Sequence, residues 1–333
     1  MFNQLPIKLS PDQILTLCQR GFGKGIKIKS IREIGGGTFN ETYLIKFSGK
    51  AKTILRVAPA PSPDLFWDDF ALMRREHTML PYFAVLSPLI PRVLLTDFTH
   101  QLIGRDYMFQ SVLEGERWSE IEKELTPEEN LTLWRQCGAL VKKLHMTTGE
   151  WFGYPYPGFH NRWQDVILER FSRISQSMDA HQINIPAFES IFKLVRTHTA
   201  IFDEIVLPRL LHGDLWTFNL LVIRGEEGPI ISGILDTDRA WWGDPLADWI
   251  MFLFSIRQDA PEWQARITAF EEGYGSPELG PTSAEAVAFR KNVYKAMHIG
   301  LAALWSFKHK NEEDLARASE EISLLAQTLE KLA

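Results

Sequence analysis

The residues that can do chemistry crowd into one stretch. Leu211-His212-Gly213-Asp214 opens a polar knot, Asn219 closes it, and Asp236 follows behind Ile234-Leu235. Asp214 is a carboxylate able to accept a hydroxyl proton. Asn219 and Asp236 are hard oxygen donors of the kind that hold Mg²⁺. Phosphoryl transfer asks for this set, because it involves little covalent chemistry and needs a positioned nucleophile and a metal to neutralise charge. The elements that must position these residues are legible on either side. An apolar run, Ile205–Leu211, leads in; Leu220–Val222 is apolar again; Arg224–Pro229 turns the chain and Ile230–Leu235 returns it. The pattern is a loop followed by two short buried strands joined by a turn, which gathers Asp214, Asn219 and Asp236 at one end of a hairpin.

At these residues the sequence resembles the aminoglycoside phosphotransferase group of the protein-kinase-like superfamily, which also holds choline, homoserine and methylthioribose kinases. That family writes its catalytic loop as His-Gly-Asp-x-x-x-x-Asn and its metal loop as Ile/Leu-Asp followed by Gly-Asp-Pro. The counterparts are His212-Gly213-Asp214 to Asn219, Leu235-Asp236, and Gly243-Asp244-Pro245 with Asp248 after it. The resemblance implies an α+β, protein-kinase-like fold of two lobes. A small antiparallel β-sheet lobe with one long helix would be followed by a larger, mainly helical lobe carrying the catalytic loop. It implies Asp214 as the base and Asn219 and Asp236 as ligands of Mg²⁺ bound with ATP or GTP. It implies a bracing role for His212. Asp244 would anchor the loop by accepting backbone hydrogen bonds, or equally cap a helix before Pro245. Asp238 stands between a second metal contact and an acid facing the acceptor.

Composition is compatible with this. The chain has 333 residues, a net charge of −6 and an ordinary apolar fraction, enough for two lobes with a cleft between them. Interspersed acids and bases argue against a nucleic-acid surface and suit a cationic small substrate. Cys18 and Cys137 are the only cysteines, far apart, so neither a disulfide framework nor a cysteine metal site is expected. The first residues do not read as a signal segment and no apolar run reaches the length of a bilayer span, so the expected location is cytoplasmic.

The first half of the chain reads as the nucleotide side. Ser10-Pro11-Asp12-Gln13 starts a helix of about residues 10–20. Strand patterns follow at Ile26–Ile34, Thr42–Phe47 and Thr53–Val57. Between the first two lies Gly35-Gly36-Gly37-Thr38, where Gly36, Gly37 and Thr38 would bring backbone N–H groups to a phosphate; a flexible hairpin turn is the plainer reading. Arg56 sits inside an apolar strand. By resemblance it stands where kinases carry a phosphate-binding Lys, keeping the charge with a planar fork of donors. Its helix partner would be Glu76, on a helix running from about residue 64 to Tyr82. Gln110–Gly115 resembles the hinge, with Ser111 and Leu113 shaping an adenine slot. The lobes divide near Gly115, giving residues 1–115 and 116–333.

The second half is helical. Thr126-Pro127-Glu128-Glu129 is a capping box, and Leu131, Trp134, Cys137, Val141 and Leu144 form a core face. His145 at its end reads as a packed residue. Only a few residues separate Asp236 from Pro245, leaving no room for the long activation segment of protein kinases, which argues against a protein substrate. Trp241, Trp242 and Asp238 are candidates to face the acceptor, with Trp163 and Trp263 as further stacking surfaces. Acids such as Asp165, Glu169, Asp259, Glu262, Glu271 and Glu272 either meet a polycation or form solvated helix faces. The expected activity is an O-phosphotransferase on a small-molecule hydroxyl, an aminoglycoside or similar antibiotic first. A metabolite kinase (choline, homoserine, methylthioribose or ketosamine-like) and a non-catalytic nucleotide-binding pseudokinase are the alternatives. Partners are a nucleoside triphosphate and a small acceptor, with no nucleic acid or membrane, in a monomer or homodimer.

Overall fold

The computed structural model describes residues 8–34, 40–60, 67–155, 158–254, 261–275 and 282–333. The first part is an antiparallel sheet of β1 (Ile28–Glu33), β2 (Glu41–Phe47), β3 (Lys52–Val57), β4 (Val93–Asp97) and β5 (Tyr107–Gln110), in the order β1-β2-β3-β5-β4. Alternation in β2 turns Tyr43, Ile45 and Phe47 to one face, where Leu17 and Cys18 of helix α1 (Pro11–Phe22) cover them. The start of α1 is fixed by a reciprocal cap, Ser10 Oγ accepting from Gln13 N while Gln13 Oε1 accepts from Ser10 N.

The long helix expected between about residue 64 and Tyr82 is not continuous. Among the described residues it is a 3₁₀ turn at Trp67–Asp69, a left-handed residue at Ala71 (φ 56°), the helix α2 (Leu72–Met79), and a further 3₁₀ stretch, Leu80–Leu86. Two forces break it. Pro81 lacks the N–H that would extend the α ladder. Upstream, Asp68 and Asp69 are drawn into buried ion pairs.

From Gly115 on, sheet fragments are set among helices. In order these are β6 (Glu116–Arg117), α3 (Trp118–Ile121), α4 (Pro127–His145), β7 (Phe152–Tyr154), β8 (Gly158–His160), α5 (Trp163–Ala180), α6 (Pro186–Thr197) and α7 (Ala200–Asp203). There follow β9 (Arg209–Leu211), β10 (Leu220–Gly225), β11 (Gly228–Ile234), β12 (Trp241–Gly243), α8 (Pro245–Phe254), α9 (Pro261–Tyr274), α10 (Ala284–Lys308) and α11 (Glu312–Leu332). β10 and β11 form the expected hairpin, flanked by β6, and β12 lies between β7 and β9. One core packs α5, α6, α10 and α11 together; another packs α4, α9 and the hairpin against Met79, Phe83 and Leu86. The segment after α2 is thus anchored in the helical part. α4 and α9 cross closely because Gly138 and Gly273 carry no Cβ: one on Gly273 would lie 1.9 Å from the Arg135 carbonyl oxygen. No helix among the described residues is long and apolar enough to cross a membrane.

Candidate active site

The loop from β9 to β10 carries the first half of the site, and its start is pinned from below. Asp248 on α8 accepts hydrogen bonds from the backbone N–H of His212 (2.8 Å) and Gly213 (2.7 Å). The same carboxylate lies 3.0 Å from Nε2 of His145, whose Nδ1 meets the Tyr274 hydroxyl at 2.9 Å. His145 is therefore a packed residue at the foot of the loop. The anchoring expected of Asp244 belongs to Asp248. Asp244 is fully buried and caps α8 through Leu246 N (3.1 Å), with Arg290 Nε (3.1 Å) and Tyr294 Oη (2.7 Å) on its other oxygen. Gly213 has φ 76°, and a Cβ there would lie 2.1 Å from the Arg239 carbonyl oxygen, so no other residue fits.

His212 ties the two loops together. Its Nε2 faces the Leu235 carbonyl at 3.1 Å and so carries the proton, while Nδ1 accepts from Asp214 N at 3.3 Å. Burial pushes its pKa down, keeping the ring neutral. Asn219 Nδ2 donates to the Asp214 carbonyl oxygen (2.8 Å) and to Asp214 Oδ2 (3.1 Å), and Leu235 N donates to the Asn219 carbonyl (2.9 Å). Asp214 keeps part of its surface open to the cleft. Crowding by the surrounding protein, aided by the charge of Asp236 and opposed by Arg239 and Asn219, brings its pKa up to about 7.

The second half is an ion-paired cluster around Arg56. Its guanidinium donates to both Glu76 oxygens (2.8 and 2.7 Å), reaches Asp236 Oδ1 at 2.5 Å, and lies 3.8 Å from Asp238. Burial works against its charge, but the three carboxylates outweigh burial and hold it protonated. Gln110 at the end of β5 donates to Glu76 at 2.9 Å. Asp236 adopts the left-handed conformation (φ 62°) that presents its carboxylate, 38% exposed, to the cleft. Asp238 is buried among these groups and faces Arg56. Carboxylate oxygens of Glu76, Asp236 and Asp238 lie within 4.8 Å of one another. For Mg²⁺ the donors fit: they are hard oxygens, and because Asn219 spends its amide nitrogen on Asp214, its carbonyl oxygen is left as the free donor.

The remaining expected residues fall in three places. Gly36, Gly37 and Thr38 lie outside the described residues, as does Asp259. At the hinge, Ser111 Oγ accepts from Arg92 N at 2.9 Å and Leu113 packs over Gly233, where a Cβ would meet Leu113 Cδ1 at 2.9 Å. Trp241 and Trp242, expected to face the acceptor, are core residues, 1% and 4% exposed. Trp241 stacks on Tyr154 (4.9 Å between centroids) and Trp242 lies edge-on to Tyr82 (5.0 Å), because the chain passes straight from the metal loop into β12 between two other strands. Trp163 and Trp263 are buried as well. Sequence reasoning did not single out Asp248, Gln110 or Arg239 for the positions they hold. Asp248 alone left a signal, four residues past Asp244 on one face of α8.

A five-stranded antiparallel sheet joined to a helical part, with the Asp214 and Asp236 loops at one end of a hairpin, defines a kinase-like protein of the small-molecule type. Residues 30–286 match the phosphotransferase enzyme family, and the chain belongs to it. No curated protein matches the sequence. The fold is similar to that of a Ralstonia eutropha protein provisionally assigned as an aminoglycoside phosphotransferase (13% identity, 97% of this chain and 99% of the other, TM-score 0.66). It is also similar to aminoglycoside phosphotransferase APH(4)-Ia, in a complex with AMP-PNP and hygromycin B (17% identity, 95% and 98% covered, TM-score 0.65). A third likeness is to a GDP complex of an aminoglycoside 2′-phosphotransferase-IIIa variant (14% identity, 97% and 100% covered, TM-score 0.64).

Proposed function

We propose that this phosphotransferase moves the γ-phosphoryl group of ATP or GTP, with Mg²⁺, to the hydroxyl of a small molecule. The observation that carries this reading is the arrangement at the hairpin end. Asp214 is oriented by Asn219, open to the cleft, and separated by one His212 bridge from the loop that carries Asp236. Asp214 takes the acceptor proton as the acceptor oxygen bonds to phosphorus, and the bridging oxygen leaves with its electron pair on the nucleoside diphosphate. Asn219 and Asp236 hold the metal, which supplies charge neutralisation on the phosphates. Arg56, steadied by Glu76 and Gln110, is the fork of donors for the phosphates. The ligands of the similar structures include AMP-PNP, GDP and hygromycin B, which supports a nucleotide and an aminoglycoside-type or similarly hydroxylated acceptor.

One observation favours a less cationic metabolite as acceptor. Asp165 is paired with Arg162 (3.0 Å) and Glu169 with His160 and Arg173 (2.7 and 2.6 Å), so these acids are neutralised without an antibiotic. Turnover of ATP and of GTP against a panel of aminoglycosides, other hydroxylated antibiotics and hydroxyl metabolites decides between the two. Turnover with none of them, together with intact nucleotide binding, is the outcome expected of a pseudokinase and ends this reading.

A further inference from the structure

Asp68 and Asp69 are consecutive acids in the turn ahead of α2, and each is more than nine-tenths buried. Asp68 Oδ2 takes Arg239 Nη1 at 2.5 Å, Oδ1 takes Arg170 Nη1 at 3.2 Å, and its backbone carbonyl takes Arg75 Nη1 at 3.1 Å. Asp69 takes Arg239 Nη2 at 3.2 Å and Lys308 Nζ at 3.3 Å. The cations come from α2, α5, α10 and the metal loop. Burial alone would raise the Asp68 pKa; Arg170, Arg239 and Arg75 bring it down to about 2, so the acid stays ionised.

Arg239 is the member with two further attachments. It stands three residues beyond Asp236 in the 3₁₀ turn Thr237–Arg239, and its carbonyl oxygen fills the space that Gly213 leaves open. One side chain thus grips the turn that begins the Glu76 helix, while its backbone lies against the catalytic loop and its chain neighbours are the metal loop. A buried ionic network of this kind gives little net stability, but it fixes relative position, because every alternative leaves a charge unpaired.

We propose that Arg239, clamped by Asp68 and Asp69, is a positioning residue that locks α2 onto the metal loop, so that Glu76 and Arg56 are assembled before any nucleotide arrives. The lock acts through α2. It rests on the reading of Glu76, Arg56 and Asp236 as the nucleotide side of the site.

Backbone hydrogen exchange across residues 72–79, with residues 11–22 as the internal control, tests this without an acceptor. In Arg239→Gln the α2 amides exchange faster by about tenfold or more while α1 is unchanged, the response of one locally opening unit that has lost a buried ion partner. Arg239→Lys keeps the charge but not the fork, and recovers part of the protection. Asp69→Asn, a milder change that leaves Asp68 in place, raises α2 exchange by about threefold and keeps the experiment informative should Arg239→Gln fail to fold. Alongside, the affinity for the non-hydrolysable nucleotide AMP-PNP with Mg²⁺ falls in proportion to α2 opening. Unchanged α2 exchange in both Asp69→Asn and a folded Arg239→Gln, or equal acceleration in α1 and α2, overturns the proposal. A failed acceptor panel with the exchange pattern intact overturns the functional reading and leaves the lock standing.

Discussion

The Asp214 loop and the Asp236 loop are joined by hydrogen bonds at Leu235 and are otherwise held by different means. Among the described residues the Asp214 loop is braced by hydrogen bonds from within the helical part: Asp248 below it, His212 across it and Asn219 at its far end. The Asp236 loop shares hydrogen bonds with it at Leu235 and in addition carries ion pairs to residues elsewhere in the chain, Arg56 on β3 and the two acids ahead of α2. Asp214 and Asn219 are therefore placed by the helical part itself, whereas Asp236 is also placed by a contact with the first part of the chain. Hydrogen-bonded loops keep their geometry whatever the salt concentration, while ion-paired ones answer to charge substitution.

Substitutions at the two loops should separate accordingly. The largest effect is expected for Asp236→Ala, which abolishes Mg²⁺-dependent turnover with the fold retained; wild-type turnover in this variant would place the metal elsewhere. Asp214→Asn lowers acceptor-dependent turnover by roughly 10²–10⁴-fold, toward the lower end because a loose transition state asks less of a base. Mg²⁺–nucleotide affinity should stay nearly unchanged, since Asp214 meets the acceptor and not the phosphates, and kcat and kcat/KM should fall together. Calorimetric nucleotide binding and steady-state kinetics on the same preparation check both halves.

Asp248→Asn comes next. It replaces an acceptor of two backbone N–H groups by an amide whose nitrogen cannot serve, with a loss of about 1–3 kcal/mol in stability and roughly tenfold in kcat. Nucleotide affinity should hold, and equal losses in affinity and kcat would show that the two loops are not held separately.

The smallest effect is in thermal stability. The Asp214 pKa is raised to about 7 in the folded protein from an ordinary 3.8, so between those values the folded state binds more protons than the unfolded one. Stability contributed by the protonated carboxyl is present at acid pH and is lost as pH rises through about 7. Asp214→Asn, neutral throughout, should accordingly melt a few degrees above wild type at pH 8, with the difference shrinking toward pH 4. A difference that grows toward acid would reverse the assigned direction.

The catalytic hairpin is legible in the sequence because its chemistry lies within a short span and the strands around it are short and apolar. What is not legible depends on facing. Asp244 and Asp248 sit one turn apart on the same helix, and spacing cannot say which of them meets the loop. Trp241 and Trp242 follow the metal loop directly, and only the insertion of β12 between β7 and β9 shows that their rings point into the core. The break in the α2 region escapes periodicity altogether. Pro81 accounts for its downstream end, while the upstream turn is set by cations drawn from positions up to Lys308, more than two hundred residues downstream. Arg56 with Glu76 came from resemblance and is paired here; the glycine loop falls outside the described residues.

The contact between Arg56 and Asp236 has a further consequence for the order of events. Arg56 is a tethered cation, already in place on the carboxylate that would hold a metal. Its effective concentration there is of millimolar order or higher, as for any short tether. A lone divalent ion thus competes against a resident counter-ion that Glu76 already holds in position. Nucleotide phosphates change that balance by offering the guanidinium a new anionic partner. Metal and nucleotide should then enter as a single complex, and Asp236 should bind divalent ions weakly until the triphosphate is present.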